Sequence, residues 1–308
     1  MKLIFVVNEK SGNGKGAKTW MKLKANLTIP YEAFVTSHEK EAIAFAQQIK
    51  QRTQGEQEKT LVIGIGGDGT YHELLNGLYE ASNVIVGAVC AGSGNDFKRG
   101  FTAFEHAHEI EAFIKTNGAL QQDLGEINTN DATIYFVNNS GIGFDATVAI
   151  AANESKVKGT FNKLGLGKLC YVYYLIKCLF TFKPFTVQVT NNGQTAIYEK
   201  VWFLTASNQK YFGGGMNISP KSNTSDGLLE LTIVHNLNKY KLLFIFGTVF
   251  FGKHTGFKEI KQLSGSDFTV CLQETYLMHA DGEKLVIDTK NEPIHFKIAN
   301  QKWLLAKK

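Results

Sequence analysis

Two glycine-rich segments in the first third of the chain each contain an aspartate. The first reads GGDGT at residues 66–70, and the second reads GSGNDF at residues 92–97. Glycines let backbone N–H groups face a phosphate, and a helix that follows points its positive end at the same place. Asp68 would repel a bare phosphate, but it suits Mg²⁺, a metal-bound water or a donor group of a nucleotide. The segment therefore indicates a nucleotide and metal site, with a turn in which Asp68 caps a helix as the alternative.

Two acidic turns lie in the second half of the chain. DGLLEL begins at Asp226, and DGE spans Asp281 to Glu283. Taken alone, each short motif is at least as typical of a plain turn beside a strand as it is of an active site. Their interpretation therefore depends on the whole set of motifs.

The composition is that of an ordinary globular protein. The 308 residues suffice for two domains or one large one, and the net charge of +5 suits either solubility or attraction to phosphate and anionic surfaces. The longest apolar run, LLFIFGTVFFG, is shorter than the roughly 20 residues that span a bilayer. Four scattered cysteines and the lack of a signal peptide indicate a cytoplasmic protein. No nucleic-acid-binding module is recognisable.

The first 120 residues or so alternate between strand and helix patterns. The clearest apolar strands lie at residues 3–7, 61–65 and 83–89. This alternation predicts a mostly parallel sheet with helices on both faces. Both glycine segments follow strands, so they would emerge at the carboxyl ends of the strands, where such sheets bind ligands. Thr36 with Glu39 and Thr70 with Glu73 have the spacing of helix capping boxes.

From about residue 123 the pattern changes to short strands in hairpin order. Helical patterns recur at residues 158–182 and 239–251. The second half is therefore predicted to be an antiparallel β-sandwich with inserted helices. We divide the chain into an α/β domain at residues 1–124 and a sandwich domain at residues 125–308. Whether the last strand, about residues 294–306, returns to the first domain is left open.

In this order along the chain, GGDGT, GSGNDF, DGLLEL and DGE resemble the diacylglycerol kinase catalytic-domain family of soluble bacterial lipid kinases. Sphingosine and ceramide kinases are similar, and NAD kinases more distantly so. The resemblance extends over nearly the whole chain. It is more specific than GGDGT, which alone would admit NAD kinases or phosphofructokinase-like enzymes. It implies a three-layer α/β/α domain followed by a β-sandwich of the NAD kinase and diacylglycerol kinase type.

The resemblance also implies three groups of site residues. ATP would bind at Asn8, Ser11, Gly12, Thr36, Gly66, Gly67, Asp68, Gly69, Thr70, Tyr71, His72, Ser93, Asn95 and Asp96. A structural Mg²⁺ would bind Asp226 and the backbone carbonyls of Asn223 and Leu228. Catalysis would use Glu283, Asp281 and Asp68, with Glu283 accepting the hydroxyl proton. Asp123 would converge with Asp68 and Asp96 at the same site.

Two positions depart from the family pattern. The first loop reads NEKSG, so that Glu9 stands where the family has proline and adds a negative charge near the phosphates. Lys10, Lys15 and Lys18 lie close enough in sequence to offset that charge. In the second loop Ser93 replaces the threonine of many relatives but keeps the hydroxyl.

The implied activity is an ATP- and Mg²⁺-dependent lipid kinase, with diacylglycerol as the leading acceptor and phosphatidic acid as the product. The alternatives are a kinase of a sphingoid base, a polyprenol or NAD, and a non-catalytic lipid- or nucleotide-binding regulator. The enzyme would be cytoplasmic and would meet its lipid substrate at a membrane surface; a homodimer is an open alternative to a monomer. Two apolar segments flanked by lysines, residues 164–182 and 242–251, either pack on the sandwich or border a lipid-binding surface.

Overall fold

The structure is a computed structural model that describes residues 1–130, 132–155, 167–287, 290 and 292–307. The chain forms two compact units. Unit 1 contains Met1–Leu124 and Ala299–Lys308, and unit 2 contains Gly125–Ile298. The last segment of the chain thus belongs to unit 1.

Unit 1 is built on a six-stranded sheet. Its elements are β1 (Lys2–Val7), α1 (Ser11–Lys24), β2 (Glu32–Val35), α2 (Glu41–Thr53), β3 (Thr60–Gly66), α3 (Asp68–Leu78), β4 (Val84–Cys90), α4 (Asp96–Gly100), α5 (Ala107–Thr116), β5 (Ala119–Gln122) and β19 (Trp303–Ala306). The strand order is β2-β1-β3-β4-β19-β5, in which β5 runs antiparallel to β19 and the other neighbours are parallel. The strand from the end of the chain therefore lies between β4 and β5.

Helices cover both faces of this sheet. On one face, Ile63 of β3 shares a core with Trp20 of α1 and Phe113 of α5. On the other face, Tyr71 of α3 lies against Gly64 of β3, and α2 packs on α3. Every residue of β3 is buried, which explains why its sequence is a continuous apolar run and not an alternating one.

Unit 2 is built on an antiparallel sheet. Its strands are β6 (Gly125–Asn128), β7 (Thr133–Phe136), β8 (Asn139–Gly143), β9 (Phe185–Asn191), β10 (Gln194–Ser207), β11 (Tyr211–Phe212), β12 (Met216–Asn217), β13 (Leu229–His235), β14 (Ile260–Gly265), β15 (Asp267–Leu272), β16 (Met278–Ala280), β17 (Glu283–Leu285) and β18 (Pro293–Ile298). Its helices are α6 (Phe144–Asn153), α7 (Gly167–Thr181) and α8 (Lys239–Val249). The order in the main sheet is β17-β16-β8-β10-β9-β15-β18-β6-β7, and β13 pairs with β10 and β14; β11 and β12 form a separate two-stranded sheet.

The sheet of unit 2 folds over on itself. Phe136 of β7 and Met278 of β16, near opposite ends of the strand order, belong to one buried core with Val187 and Phe268 from the middle. Residues of β9 alternate between buried and exposed at the start of the strand, as expected when one sheet face covers the core. The predicted fold class, an α/β domain and an antiparallel sandwich with inserted helices, is confirmed.

Both predicted capping boxes are wrong. Thr36 precedes α2 without capping it, because its hydroxyl donates to the carbonyl oxygen of Val7 (3.3 Å). The carboxylate of Glu73 accepts the N–H groups of Lys40 (3.2 Å) and Ala42 (3.1 Å) at the start of α2, not at the start of its own helix. The packing of α3 against α2 therefore overrides the local sequence pattern.

The two predicted inserted helices agree with the sequence pattern where the structure describes them, whereas α6 (Phe144–Asn153) was not predicted. Residues 156–166, which include the start of the segment predicted over 158–182, lie outside the described residues, and α7 forms much of the remainder. Helix α8 lies within residues 239–251. Among the described residues, no helix has both the length and the apolar character needed to cross a bilayer.

Candidate functional site

Three loops of unit 1 meet at the carboxyl ends of β1, β3 and β4. They touch through their backbones: a Cβ atom placed on Gly12 would lie 2.1 Å from the carbonyl oxygen of Ala91, and one placed on Gly92 would lie 2.5 Å from Cα of Gly67. Such distances are shorter than Cβ atoms tolerate, so both positions require glycine. We call this surface the glycine cradle and define it as residues 8–14, 66–70 and 91–95.

Replacing Gly92 by alanine is expected to disrupt the cradle. The added methyl group would push against the backbone of Gly67, so we expect the free energy of unfolding to fall by about 1–3 kcal/mol. Nucleotide affinity should fall with it. Thermal unfolding and calorimetric ATP titration measure both effects. Gly118→Ala is the matched control, because a Cβ there meets no atom within 4 Å. Equal behaviour of the two variants would contradict the close contact.

Asp68 ties the two glycine segments together. Its Oδ1 atom accepts a hydrogen bond from the N–H of Phe97 in α4 (2.8 Å). Gly67, which precedes α3, supplies no side-chain cap, and Asp68 lies inside the helix. Asp96, next to Phe97, is buried and forms an ion pair with Arg99 (2.9 Å). Asp68 is therefore the first residue of α3 and not its N-cap, and its carboxylate binds the start of α4.

The other predicted nucleotide residues of unit 1 lie in the cradle or beside it. The Asn8 amide donates to the Thr70 hydroxyl (3.2 Å) and so joins the first two loops. Thr36 is buried, and its N–H donates to the last residue of β1 (2.8 Å). Ser93 is exposed, whereas Asn95 has a buried Oδ1 atom with no hydrogen-bond partner in the described part of the chain. A buried acceptor in this state favours a ligand that brings a donor.

The groups around the cradle are those that a nucleotide needs. Further predicted residues contribute backbone or side-chain atoms in the cradle or next to it: Ser11, Gly12, Gly66, Gly67, Gly69 and His72. Lys15 and Lys18 are exposed on α1, while Lys10 donates to the carbonyl oxygen of Ser37. Backbone N–H groups, exposed ammonium groups and the Asp68 carboxylate fit a phosphate chain with Mg²⁺.

Tyr71 and Cys90 lie beneath the cradle. Tyr71 stacks on Phe97 with ring centroids 4.2 Å apart, and its hydroxyl donates to Gly64 (3.2 Å). Burial raises the pKa of Tyr71 well above its usual value. Burial also raises the pKa of the Cys90 thiol to about 11, with a smaller contribution from the negative charge of Asp68. Tyr71 is thus a packing residue below the cradle in this structure.

The shifted Cys90 pKa predicts a loss of stability in alkali. Below pH 9 the thiol is protonated in both states. Between pH 9.0 and about 11 the unfolded thiol ionises while the folded thiol keeps its proton, so the free energy of unfolding falls as pH rises. We expect Cys90 to account for about 2–3 kcal/mol of that fall. Urea unfolding at pH values on both sides of this range measures it. Cys90→Ala should show a weaker dependence, and an identical one would contradict the assignment.

In unit 2, Asp281 anchors the turn between β16 and β17. It is buried and has a left-handed backbone (φ 52°). One carboxylate oxygen accepts the N–H of Val137 (2.8 Å), and the other accepts those of Asn138 (2.7 Å) and Asn139 (3.2 Å). The carboxylate therefore fixes the DGE turn to the start of β8. Its predicted catalytic role stays a prediction.

His279 lies beside the DGE turn and was not among the predicted site residues. Its Nδ1 atom accepts the N–H of Gly282 in the same turn (3.1 Å), and the imidazole is completely buried under Phe212. Its Nε2 atom lies 3.5 Å from Oδ2 of Asp145, which also accepts the hydroxyl of Thr205 (2.8 Å). The one signal in the sequence was that His279 lies two residues before DGE. Its contact with Asp145 could not be predicted, because Asp145 is distant in the chain. Glu283 follows this turn and is exposed.

The predicted metal loop lies between β12 and β13. Asn223 and Asp226 are exposed, and Oδ1 of Asp226 accepts the N–H of Leu228 (3.0 Å). Burial raises the pKa of nearby Glu230, and the negative charge of Asp226 raises it further. The Asp226 carboxylate and the backbone carbonyls of Asn223 and Leu228 are oxygen donors, which Mg²⁺ prefers, so the chemistry of this set fits the implied ion. Binding of Mg²⁺ there stays a prediction. No group of three His, Cys, Asp or Glu side chains suited to a metal occurs among the described residues.

Asp123 does not join Asp68 and Asp96. It is completely buried and forms an ion pair with Lys302 (2.7 Å). It follows Gln122 of β5, which pairs with the first residue of β19 at the amino end of the parallel strands. The predicted convergence of three aspartates is wrong because β5 runs antiparallel and carries Asp123 away from the cradle.

Family models match both parts of the chain. Residues 2–127 match the diacylglycerol kinase catalytic domain, and residues 138–297 match the YegS C-terminal NAD kinase beta sandwich-like domain. A Bacillus subtilis relative named "Putative lipid kinase YtlR" is 34% identical over 290 residues, which are 91% of this chain and 92% of that protein. A diacylglycerol kinase of the same species is 27% identical over 228 residues, which are 73% of this chain and 72% of that protein.

Solved structures share the fold. A diacylglycerol kinase from Bacillus anthracis str. Sterne matches with a TM-score of 0.69 at 18% identity, covering 100% of this chain and 97% of that one. Yeast NADH kinase complexed with NADH matches with a TM-score of 0.54 at 9% identity, covering 100% of this chain and 84% of that one. At these identities the likeness concerns the fold alone.

Proposed function

The chain belongs to the diacylglycerol kinase-like family of lipid kinases, and from this premise we propose that it transfers the γ-phosphate of ATP to a lipid hydroxyl. The observation that carries the proposal is the glycine cradle, in which two glycine segments are joined through the bond from Phe97 to Asp68. Its backbone surface suits a phosphate chain. Mg²⁺, when bound, neutralises charge on the transferring phosphates.

Glu283 is the proposed proton acceptor. The acceptor hydroxyl gives its proton to the Glu283 carboxylate while its oxygen bonds to the γ-phosphorus. The bond from that phosphorus to the bridging oxygen breaks, and ADP leaves with the electron pair. Such a proton transfer needs the two oxygens about 2.6–3.2 Å apart. Asp281 and His279 hold the turn that precedes Glu283, which supports a positioning role for both.

The proposed acceptor is diacylglycerol, and the product is phosphatidic acid. A diacylglycerol resides in a bilayer, so the enzyme would act at a membrane surface while its ATP comes from the aqueous side. The proposed Mg²⁺ at Asp226 would be structural, as the resemblance to the family implies.

An acceptor screen tests the proposal. The protein is incubated with ATP, Mg²⁺ and one acceptor at a time, and products are identified by mass. Diacylglycerol, a sphingoid base, a polyprenol and NAD form the panel. We expect phosphatidic acid to form fastest. If another member of the panel were phosphorylated faster, that compound would be the acceptor in place of diacylglycerol. ATP binding without turnover on any member would favour a non-catalytic regulator.

A further inference from the structure

Helices α7 and α8 of unit 2 expose an unusual number of large apolar side chains. Phe244 of α8 is 68% exposed, and Phe251, two residues after the end of α8, is 76% exposed. We call the exposed set the aromatic face and define it as Tyr173, Ile176, Phe180, Tyr240, Phe244 and Phe251. Exposed aromatic residues in such density indicate a surface that binds a membrane or another molecule.

The aromatic face is not needed for the protein's own core. The opposite sides of the two helices already bury Leu175, Leu179, Leu242 and Ile245 in a shared core with Trp202. The helices are therefore held by these inner residues, and the aromatic face is surplus to folding.

The two helices present one continuous face. The ammonium group of Lys239 lies 4.7 Å from the ring centroid of Phe180 and 5.7 Å from that of Tyr240. Both distances are within the range of cation–π contacts, so a lysine of α8 bridges to an aromatic ring of α7.

The charged residues within the two helices are all lysines. The sequence has no Asp or Glu between Glu154 and Glu199, or between Glu230 and Glu259, and these two intervals contain both helices. Lys177 and Lys239 lie among the aromatic side chains, and Lys253 follows α8. The carboxylate of Glu259 is buried and paired with Lys241 of α8 (2.6 Å). Exposed aromatic rings with lysines are typical of surfaces that lie on anionic membranes.

A second copy of this chain is a poorer occupant. A two-fold symmetric dimer would place the same face against itself, so the lysines of one copy would meet those of the other. An anionic bilayer presents the opposite charge and also accepts the rings at the depth of its headgroups.

We propose that the aromatic face docks on an anionic lipid bilayer. The inference rests on the proposed function, because it supplies the contact through which a lipid kinase would reach an acceptor in the membrane. The aromatic and aliphatic side chains enter the headgroup region, while Lys177 and Lys239 bind lipid phosphates.

Sedimentation with lipid vesicles tests the proposal. The full chain is mixed, without ATP or acceptor, with vesicles of phosphatidylcholine alone or with added phosphatidylglycerol. We expect stronger binding to the anionic vesicles, weakened by salt. Phe244→Ser with Phe251→Ser should reduce binding to these vesicles by about tenfold or more. Lys177→Gln with Lys239→Gln should remove most of the preference for anionic vesicles.

The matched control is Ile197→Ser with Met21→Ser, which removes side chains that are 66% and 70% exposed outside the aromatic face. It should bind vesicles as the wild type does, and thermal unfolding should show that all variants are folded. Wild-type protein that does not bind, or an aromatic double variant that binds equally well, would overturn the proposal. A dimer that dissociates in the aromatic double variant, without vesicle binding, would assign the face to a second copy. Because no turnover is measured, failure of the kinase assay would leave this result standing.

Discussion

Glu283→Gln is expected to lower the rate of phosphoryl transfer to the lipid acceptor by about 10²–10⁴-fold. The amide has nearly the shape of the carboxylate but cannot take up the hydroxyl proton. Glu283 is exposed at the first position of β17, so the substitution should leave the fold intact. Steady-state kinetics with ATP and the best acceptor of the screen measure the loss, which should appear in kcat with little change in the affinity for ATP.

Glu199→Gln is the control for this prediction. Glu199 is an exposed carboxylate of the same unit on β10, away from the DGE turn in the strand order. We expect it to keep wild-type kinetics. If Glu283→Gln also kept them, the proposed base would be wrong even if the chain were a kinase.

Asp281→Asn is expected to lower the free energy of unfolding by about 2–4 kcal/mol. Both carboxylate oxygens accept backbone N–H groups from residues 137–139, and an amide replaces one of these acceptors with a donor. One N–H would then face an NH₂ group inside the protein. The turn that carries Glu283 should shift as well, so activity should fall with stability. Urea unfolding at neutral pH measures the change.

Asp267→Asn serves as the comparison. Asp267 is exposed on β15, and its carboxylate accepts the hydroxyl of adjacent Ser266. A change of less than about 0.5 kcal/mol is expected there. If the urea midpoint of Asp281→Asn equalled that of Asp267→Asn, the three hydrogen bonds from the backbone to Asp281 would contribute little net stability.

The sequence was informative where structure depends on neighbouring residues. Alternating strands and helices predicted the parallel sheet of unit 1, and the glycine spacing located two of the three loops of the cradle, those at residues 66–70 and 91–95. The contact of Gly92 with Gly67 explains why these glycines are needed, since no side chain fits between the loops.

Features that depend on distant parts of the chain were not accessible in this way. Glu73 has the spacing of a local cap, yet its carboxylate accepts N–H groups at the start of α2. Asp123 follows a strand whose direction no local pattern reveals. His279 meets Asp145 across 134 positions of sequence, counted from 145 to 279. In each case tertiary packing decides which hydrogen-bonding group is within reach.

The position of β19 has a consequence for how the protein is made. Unit 2 is inserted, along the sequence, between the two segments of unit 1. A growing chain emerges from the ribosome with β1 to β4 in place but without the strand that belongs beside β4. Until residues 303–306 are synthesised, β4 is an open edge able to pair with other chains, and β5 lacks the strand with which it pairs. The sheet of unit 1 is therefore completed only after unit 2 has been synthesised.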